Sequence, residues 1–239
     1  MRNLKLTVEF DGTAYAGWQF QSDRPTIQRA LTAAVERVTG TKVTLYGCGR
    51  TDARVSARRY VANFHSETKL APGRLRLAVN WHLPEDISVV AVEEVPAGFN
   101  ARHSALAKTY VYKIVCGISP LRRRFAWGFH YPLDAGRMKL AAALLVGTHD
   151  FRSFCQTKDE NGACTVHSIS VTESGDEVTV AVRGDRFLYK MVRRIVGALV
   201  AYGAGKVTKA DIRAALAGRE HQPFQTAPGH GLLLDSVEY

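Results

Sequence analysis

The sequence predicts an α+β protein made of two ferredoxin-like halves, from the order of its elements, the period of its apolar residues and the similarity of its halves. Residues 1–104 read as strand, helix, strand, strand, helix, strand, which is the ferredoxin-like order. Residues 105–239 give a similar succession, and no low-complexity linker divides the chain. We therefore expect one extended, mainly antiparallel sheet shared by both halves, with a basic cleft where they meet.

The N-terminal half opens with a half-buried strand over residues 4–10, where apolar and polar side chains alternate. Apolar residues then recur every three or four positions over 27–38, which predicts an amphipathic helix that ends at Gly40. The other predicted elements are strands over 42–46, 59–64 and 87–92 and a helix over 72–82.

The C-terminal half begins with a predicted strand over 108–115, whose alternation puts Lys108, Tyr110, Tyr112 and Ile114 on one face. The other predicted elements are helices over 134–146, 188–203 and 208–217, a hairpin of strands over 166–171 and 177–182, and a closing strand over 232–237. Each of these segments has the period of a strand or of a helix with one apolar face.

The chain is basic, since 32 Lys and Arg residues stand against 22 Asp and Glu, for a net charge of +10. Such a surplus attracts polyanions, and nucleic acid is the leading candidate partner. The cations cluster within folded segments at 50–59, 122–124 and 190–194 rather than in a tail. We find neither a signal peptide nor an apolar run of the ~18 residues that a membrane span needs, so we expect a soluble, cytoplasmic protein.

Cysteine and histidine spacing does not favour a metal site. The four cysteines form no CxxC pair and show no structural zinc spacing, so reduced thiols are expected. A group of potential ligands, His149, Asp150, Cys155, Cys164 and His167, is close in sequence but fits no helix or ribbon site.

A glycine-rich loop over residues 47–54 lies between two predicted strands and carries Arg50 and Asp52. Gly47 and Gly49 allow a sharp turn or close approach to a ligand, and a carboxylate at a sheet rim is well placed to meet a substrate. The alternative is that Asp52 only caps a turn through its own backbone.

The long helix over 188–203 offers a second group of polar residues. Lys190, Arg193, Arg194 and Gly197 are predicted to lie away from its apolar stripe, with Arg193 in the N-terminal third. This face is either a solvated cationic surface or a functional one that another loop can reach.

Six segments in this chain together resemble TruA-type tRNA pseudouridine synthases. They occur in the family's order and are Phe10-Asp11-Gly12-Thr13 through Gln19, Gly49-Arg50-Thr51-Asp52-Ala53, Phe99 through Tyr112, Gly147 through Phe151, Phe187 through Arg193, and Thr226 through Leu234. The second resembles the catalytic loop, the third the segment with the active-site tyrosine, and the fifth the arginine-bearing helix.

The resemblance implies an enzyme that isomerises uridine to pseudouridine in the tRNA anticodon stem–loop, usually at positions 38 to 40. It implies no metal or organic cofactor, and a homodimer with tRNA lying across both subunits. Asp52 would be the catalytic carboxylate, Tyr110 would pack against the target uracil, Arg193 would pair with Asp52, and Arg50 would hold the extruded nucleotide.

Each of these residues also has a purely structural interpretation. Tyr110 could be an ordinary aromatic residue of a strand, and Trp18 could be part of the core. His149 and Asp150 could stabilise a turn through hydrogen bonds rather than act in chemistry. The rival function is a non-catalytic RNA-binding protein that has kept the basic cleft. A ribonuclease using Asp52 is a third reading, but it lacks the paired acidic residues or histidines that phosphodiester cleavage would need.

The chain departs from the family's pattern beside Asp52. Arg54 stands in place of glycine and Ser56 in place of histidine, while Arg59-Tyr60 replaces Gly-Gln and Asn63 replaces histidine. If position 54 needs a positive φ, arginine strains the loop by ~1 kcal/mol or more. Arg54 could instead add a phosphate contact.

Overall fold

A computed structural model describes residues 1–156, 161–219 and 223–239, which divide into two compact units. The first unit comprises residues 1–106 and 234–239, and the second comprises 107–233. The predicted halves, 1–104 and 105–239, differ from this division mainly at the C-terminus, where the last six residues belong with the first unit. Within the described residues no helix is long and apolar enough to cross a membrane.

The first unit has the element order that the sequence predicts. Its elements are β1 (Arg2–Phe10), α1 (Ile27–Thr39), β2 (Tyr46–Gly47), β3 (Ser56–Ser66), α2 (Pro72–Asn80) and β4 (Ile87–Val95). The strands lie in the order β4-β1-β3-β2, and each neighbouring pair is antiparallel. This is the ferredoxin-like arrangement predicted for the N-terminal half.

Local signals define α1. The Thr26 side chain accepts a hydrogen bond from the Arg29 N–H at its start, and Gly40 ends it in the left-handed conformation with φ 70°. Its buried residues, including Leu31 and Val35, form the apolar face that packs into the core.

The strand predicted over residues 42–46 is wrong in extent, because only Tyr46–Gly47 pairs with β3. Side chains of α1 bind the main chain before that point. The Glu36 carboxylate accepts the Val43 N–H at 3.1 Å, and the Gln28 amide donates to the Leu45 carbonyl at 3.2 Å. These main-chain groups are therefore bonded to side chains rather than to a neighbouring strand.

The second unit has a comparable sheet with helices. Its elements are β5 (Ala107–Cys116), β6 (Trp127–Phe129), α3 (Ala135–Leu145), β7 (Gly147–Asp150), a 3-10 turn (Arg152–Phe154), β8 (Ala163–Ser174), β9 (Glu177–Gly184), α4 (Met191–Gly203), α5 (Lys209–Leu216) and a second 3-10 turn (Gly229–Gly231). The closing strand, β10 (Leu232–Glu238), crosses the boundary in sequence. Strands β5, β9, β8 and β7 follow one another as antiparallel neighbours, and β6 runs parallel to β5.

Residues 147–150, which were interpreted as part of a turn, form β7 and pair with β8. His149 and Asp150 nevertheless have the structural contacts expected of fixing residues. The His149 ring lies 3.0 Å from the Val146 carbonyl through its Nε2, and Asp150 accepts hydrogen bonds from Arg152. These bonds hold the pKa of Asp150 below its ordinary value.

The position of Gly197 corrects the expectation that it lies away from the apolar face of α4. Gly197 is buried, and a Cβ built on it would lie 1.7 Å from the Gln225 carbonyl oxygen. Helix α4 thus packs directly against the chain segment around Gln225, an approach that only a residue without a side chain permits.

Candidate active site

The four residues predicted to act on a substrate come from both units of the structure. Arg50 and Asp52 belong to the loop before β3 in the first unit, whereas Tyr110 lies on β5 and Arg193 on α4 in the second. Arg50 is exposed and Asp52 is half-buried. The predicted ion pair between Asp52 and Arg193 joins residues of different units and stays a prediction.

The N-terminal segment around Gly17 supports the Asp52 loop through main-chain contact. The Trp18 N–H donates to the Thr51 carbonyl at 3.2 Å. Gly17 has φ 107°, and a Cβ there would lie 2.2 Å from the same carbonyl oxygen. The two segments therefore meet backbone to backbone, and only glycine fits at the closest point.

The loop closes beyond Asp52 through two more main-chain bonds. The Val55 N–H donates to the Asp52 carbonyl at 3.2 Å, and the Arg54 N–H donates to the Tyr15 carbonyl at 3.1 Å. Arg54 has φ 66°, a left-handed conformation that strains the backbone of a residue other than glycine. Asp52 thus projects from a short turn whose ends are both hydrogen-bonded.

Tyr60, one of the departures from the family's pattern, supports the same loop from β3. Its side chain is 0% exposed and stacks on Trp18, with ring centroids 4.1 Å apart and an interplanar angle of 26°. The Tyr60 hydroxyl donates to the Gly49 carbonyl. Sequence reasoning saw an unusual residue here but missed this contact, because nothing local indicates where a strand tyrosine's hydroxyl will reach.

Asn63, another departure, has a structural role. Its side chain is 0% exposed, donates from Nδ2 to the Asn3 side-chain oxygen at 2.9 Å, and accepts the Ala101 N–H at 2.8 Å. An amide supplies both a donor and an acceptor, so it satisfies two buried neighbours at once.

In the second unit, Tyr110 is buried on the predicted apolar face of β5, together with Tyr112 and Ile114. Phe187 meets the Tyr110 ring edge-on, with centroids 5.3 Å apart and planes at 90°. This contact fixes the plane of the ring, which a platform for a flat base requires.

Arg193 lies in the first turn of α4 and is half-buried, so its side chain is only partly solvated. Its Nε donates to the Ala227 carbonyl at 2.7 Å, and the Ala227 N–H donates back to the Arg193 carbonyl at 3.1 Å. A reciprocal pair of bonds therefore sets the direction of the guanidinium.

Tyr112 lies near this guanidinium. Burial raises the pKa of Tyr112 well above its ordinary value, and the positive charge of Arg193 opposes the shift only in part. The hydroxyl stays protonated and donates to the Pro228 carbonyl at 2.8 Å. Arg193 and the positive end of α4 together favour an anionic group at this helix terminus.

Some of the cations counted in the sequence are engaged by carboxylates. Arg58 pairs with Asp235, and Arg122 pairs with Asp176. Arg54 and Arg59 are exposed on either side of Arg58. Ion pairing therefore neutralises part of the positive charge that the residue count indicates.

Comparison with known proteins gives a consistent set of relatives. A family model described as tRNA pseudouridine synthase matches residues 6–104 and 141–239. The chain is 42% identical to tRNA pseudouridine synthase A of Brevibacillus brevis and 38% identical to that of a Thermoanaerobacter species. It is 40% identical to the protein of the same name from Parvibaculum lavamentivorans. Each of these matches covers 100% of both chains.

Proposed function

Because the chain belongs to the tRNA pseudouridine synthase family and converts uridine to pseudouridine in tRNA, we propose that Asp52 is its catalytic carboxylate. The observation that carries this proposal is the loop itself. Asp52 is half-buried in a turn whose Thr51 and Asp52 carbonyls both accept main-chain hydrogen bonds. These bonds hold the carboxylate in place although it lies on neither a helix nor a strand. Such a turn can aim a charged group at a substrate.

The substrate must first present its base. A uridine inside a stem or stacked loop has to leave the stack before an enzyme can reach its glycosidic bond, at a cost of a few kcal/mol. Stacking on an aromatic ring returns ~1–3 kcal/mol, and we assign that role to Tyr110. We assign Arg50, which is exposed and lies two residues before Asp52 in the loop, to a phosphate of the extruded nucleotide.

The isomerisation conserves all atoms. The bond between uracil N1 and ribose C1′ breaks, the uracil turns, and a bond forms between C5 and C1′, after which the C5 proton leaves and N1 carries a proton. The Asp52 carboxylate can attack C1′, stabilise positive charge there or take a sugar proton. Pairing with Arg193 would fix the direction of this carboxylate.

The test of Asp52 is tritium release from tRNA labelled at uridine C5. Asp52→Asn should abolish tritium release while tRNA affinity stays within about twofold, because the substitution removes the negative charge but hardly changes the size of the side chain. Asp86→Asn is the matched control, since Asp86 is another half-buried carboxylate of the first unit and accepts the Tyr15 hydroxyl. Release by Asp52→Asn at the wild-type rate would refute the assignment.

Membership of the tRNA pseudouridine synthase family favours the enzyme over the non-catalytic RNA-binding alternative. Tyr110→Phe refines the role of Tyr110, because it keeps the stacking ring and removes the hydroxyl. A normal rate in this variant would leave stacking as its role and exclude proton removal from C5.

We further propose that the target uridines lie in the anticodon stem–loop, at positions 38 to 40, and that the enzyme acts as a homodimer with tRNA across both subunits. Full-length relatives that act on tRNA support the substrate class. Mapping of pseudouridine in tRNA treated with the protein would identify the positions, and modification confined to other sites would contradict the first proposal. Sedimentation at micromolar concentration would distinguish dimer from monomer.

Phosphate contacts by the exposed arginines predict a steep salt dependence. Each phosphate contacted should add roughly 0.7–0.9 to the slope of log affinity against log salt. A slope near zero would show that the basic surface does not carry the binding.

A further inference from the structure

We propose that the Tyr60 hydroxyl is a positioning group for the loop that carries Asp52, an inference that rests on the proposed role of Asp52. The hydroxyl donates to the Gly49 carbonyl, three residues before Asp52. Tyr60 lies on β3, so this bond ties the loop to a central strand of the first unit.

The hydroxyl has a fixed position because the ring cannot move. Tyr60 is 0% exposed, stacks on Trp18 at 4.1 Å between centroids, and meets the Phe10 ring at 5.7 Å with a tilt of 54°. Aromatic contacts on two sides of a buried ring hold its plane and therefore the direction of the O–H bond.

The stacked pair of Tyr60 and Trp18 holds the loop at two points. The Tyr60 hydroxyl donates to the Gly49 carbonyl, and the main-chain N–H of Trp18 donates to the Thr51 carbonyl at 3.2 Å. These carbonyls flank Arg50, and that of Thr51 immediately precedes Asp52. The Tyr60 hydroxyl and the main-chain N–H of Trp18 thus together set the course of the main chain through both charged residues of the loop.

Gly47 makes room for this arrangement. A Cβ on Gly47 would lie 2.2 Å from the Tyr60 hydroxyl oxygen and 2.7 Å from the Trp18 ring. An alanine there would force the hydroxyl and the indole away from the loop. Gly47 and Tyr60 therefore form a complementary pair in which the hydroxyl occupies the space that the missing side chain leaves.

The decisive variant is Tyr60→Phe, which keeps the stacked ring and removes only the donor. We expect kcat for tritium release to fall about tenfold while the Kd for tRNA stays within about twofold, because a loosely held carboxylate misses the reacting atom, whereas Arg50 supplies only part of the phosphate contacts. Tyr239→Phe is the matched control, since its hydroxyl also donates to a main-chain carbonyl of the first unit, that of Ala101 at 2.8 Å. Its kcat should be unchanged.

Amide hydrogen exchange supplies a readout that does not depend on turnover. In Tyr60→Phe the amides of Arg54 and Val55, which close the turn around Asp52, should exchange several-fold faster than in the wild type. The same amides should be unaffected in Tyr239→Phe. Unchanged kcat and unchanged exchange in Tyr60→Phe would overturn the proposal, as would equal losses in both variants.

A double-mutant cycle completes the test. If Gly47→Ala acts by displacing the hydroxyl, adding Tyr60→Phe to it should reduce kcat by much less than Tyr60→Phe does in the wild type. Fully additive losses would contradict the pairing. Asp52→Asn is assayed in the same experiment. If Asp52→Asn is active, the proposed role of Asp52 is wrong. If Asp52→Asn is inactive while Tyr60→Phe has the wild-type kcat, only the positioning role of Tyr60 is wrong.

Discussion

Each of the two candidate catalytic segments contains or adjoins a basic residue in the left-handed conformation. Arg54, two residues after Asp52, has φ 66°, and Lys190, three residues before Arg193, has φ 60°. Among the described residues these are the only non-glycine residues with positive φ. Strain of this kind is retained where the surrounding structure fixes it, and functional sites are where it concentrates.

The two positions differ in what compensates the strain. Lys190 begins α4, and its carbonyl accepts the Arg194 N–H at 3.0 Å, so its conformation starts a largely buried helix. Arg54 is exposed, and its own N–H bonds the Tyr15 carbonyl. A helix with many buried contacts can therefore hold Arg193, whereas the Asp52 loop depends on a few hydrogen bonds to neighbouring segments.

The largest effect is expected from Arg193→Lys, which tests the helical side of this comparison. Lysine keeps the charge but loses the planar donor that bonds the Ala227 carbonyl, so it cannot hold the same direction. We expect kcat for tritium release to fall about 100-fold, which is the scale for loss of one oriented donor.

Arg194→Lys is the control for that substitution. Arg194 follows on the same helix, is also half-buried and donates to the Cys155 carbonyl at 3.2 Å. Its replacement should lower thermal stability to a similar degree with little loss of kcat. If both variants lost turnover equally, the distinction between Arg193 and its neighbour would be wrong.

Gly197→Ala tests whether the segment around Gln225 holds Arg193 in place. A Cβ at 1.7 Å from the Gln225 carbonyl must displace that segment, which includes the Ala227 carbonyl two residues on. We expect unfolding free energy to fall by roughly 1–3 kcal/mol and kcat to fall with it. Denaturant unfolding and tritium release would measure both.

Gly73→Ala provides the comparison for a helical glycine with open space. Apart from its chain neighbours and the backbone of its own helix, no atom lies within 4 Å of a Cβ built at Gly73 in α2, so alanine should stabilise the protein by about 0.5–1 kcal/mol. A destabilised Gly73→Ala with an unaffected Gly197→Ala would contradict the packing described for both helices.

The smallest effect is expected from substitutions of Arg54, which test the strain in the Asp52 loop. Arg54→Gly should raise unfolding free energy by about 1 kcal/mol relative to Arg54→Ala, because both remove the charge but only glycine relieves the positive φ. Equal unfolding free energies would show that position 54 is not strained. Weaker tRNA binding by both variants would indicate that Arg54 contacts a phosphate.

Elements with local signals were predictable from the sequence. Thr26 and Gly40 bracket α1 as the pattern indicates, and Asp134 caps α3 by accepting the Arg137 N–H. The alternation over β5 correctly placed Tyr110 and Tyr112 on one face, and both residues are buried in the structure. In each case the determinants lie within a few residues of one another, so the pattern alone contains them.

Features that depend on distant contacts were not predictable. Glu36 takes the main-chain N–H of Val43 and shortens the strand expected there, although nothing in residues 42–46 indicates it. The role of Tyr60 depends on Gly49, eleven residues earlier in the chain, and on the placement of Trp18. The site residues themselves were identified through resemblance to a known family, because the local pattern around Asp52 also fits a carboxylate that only caps a turn.

The stacking of Trp18 on Tyr60 also gives this enzyme an internal fluorescent probe. Trp18 is 3% exposed, whereas Trp81 is 86% exposed, so their emission should be separated by the polarity of their surroundings. A variant that keeps Trp18 as its sole tryptophan would report on the ring pair that holds the Asp52 loop. Binding of tRNA could then be followed, in real time and without any label, from the side of the protein that supports the loop.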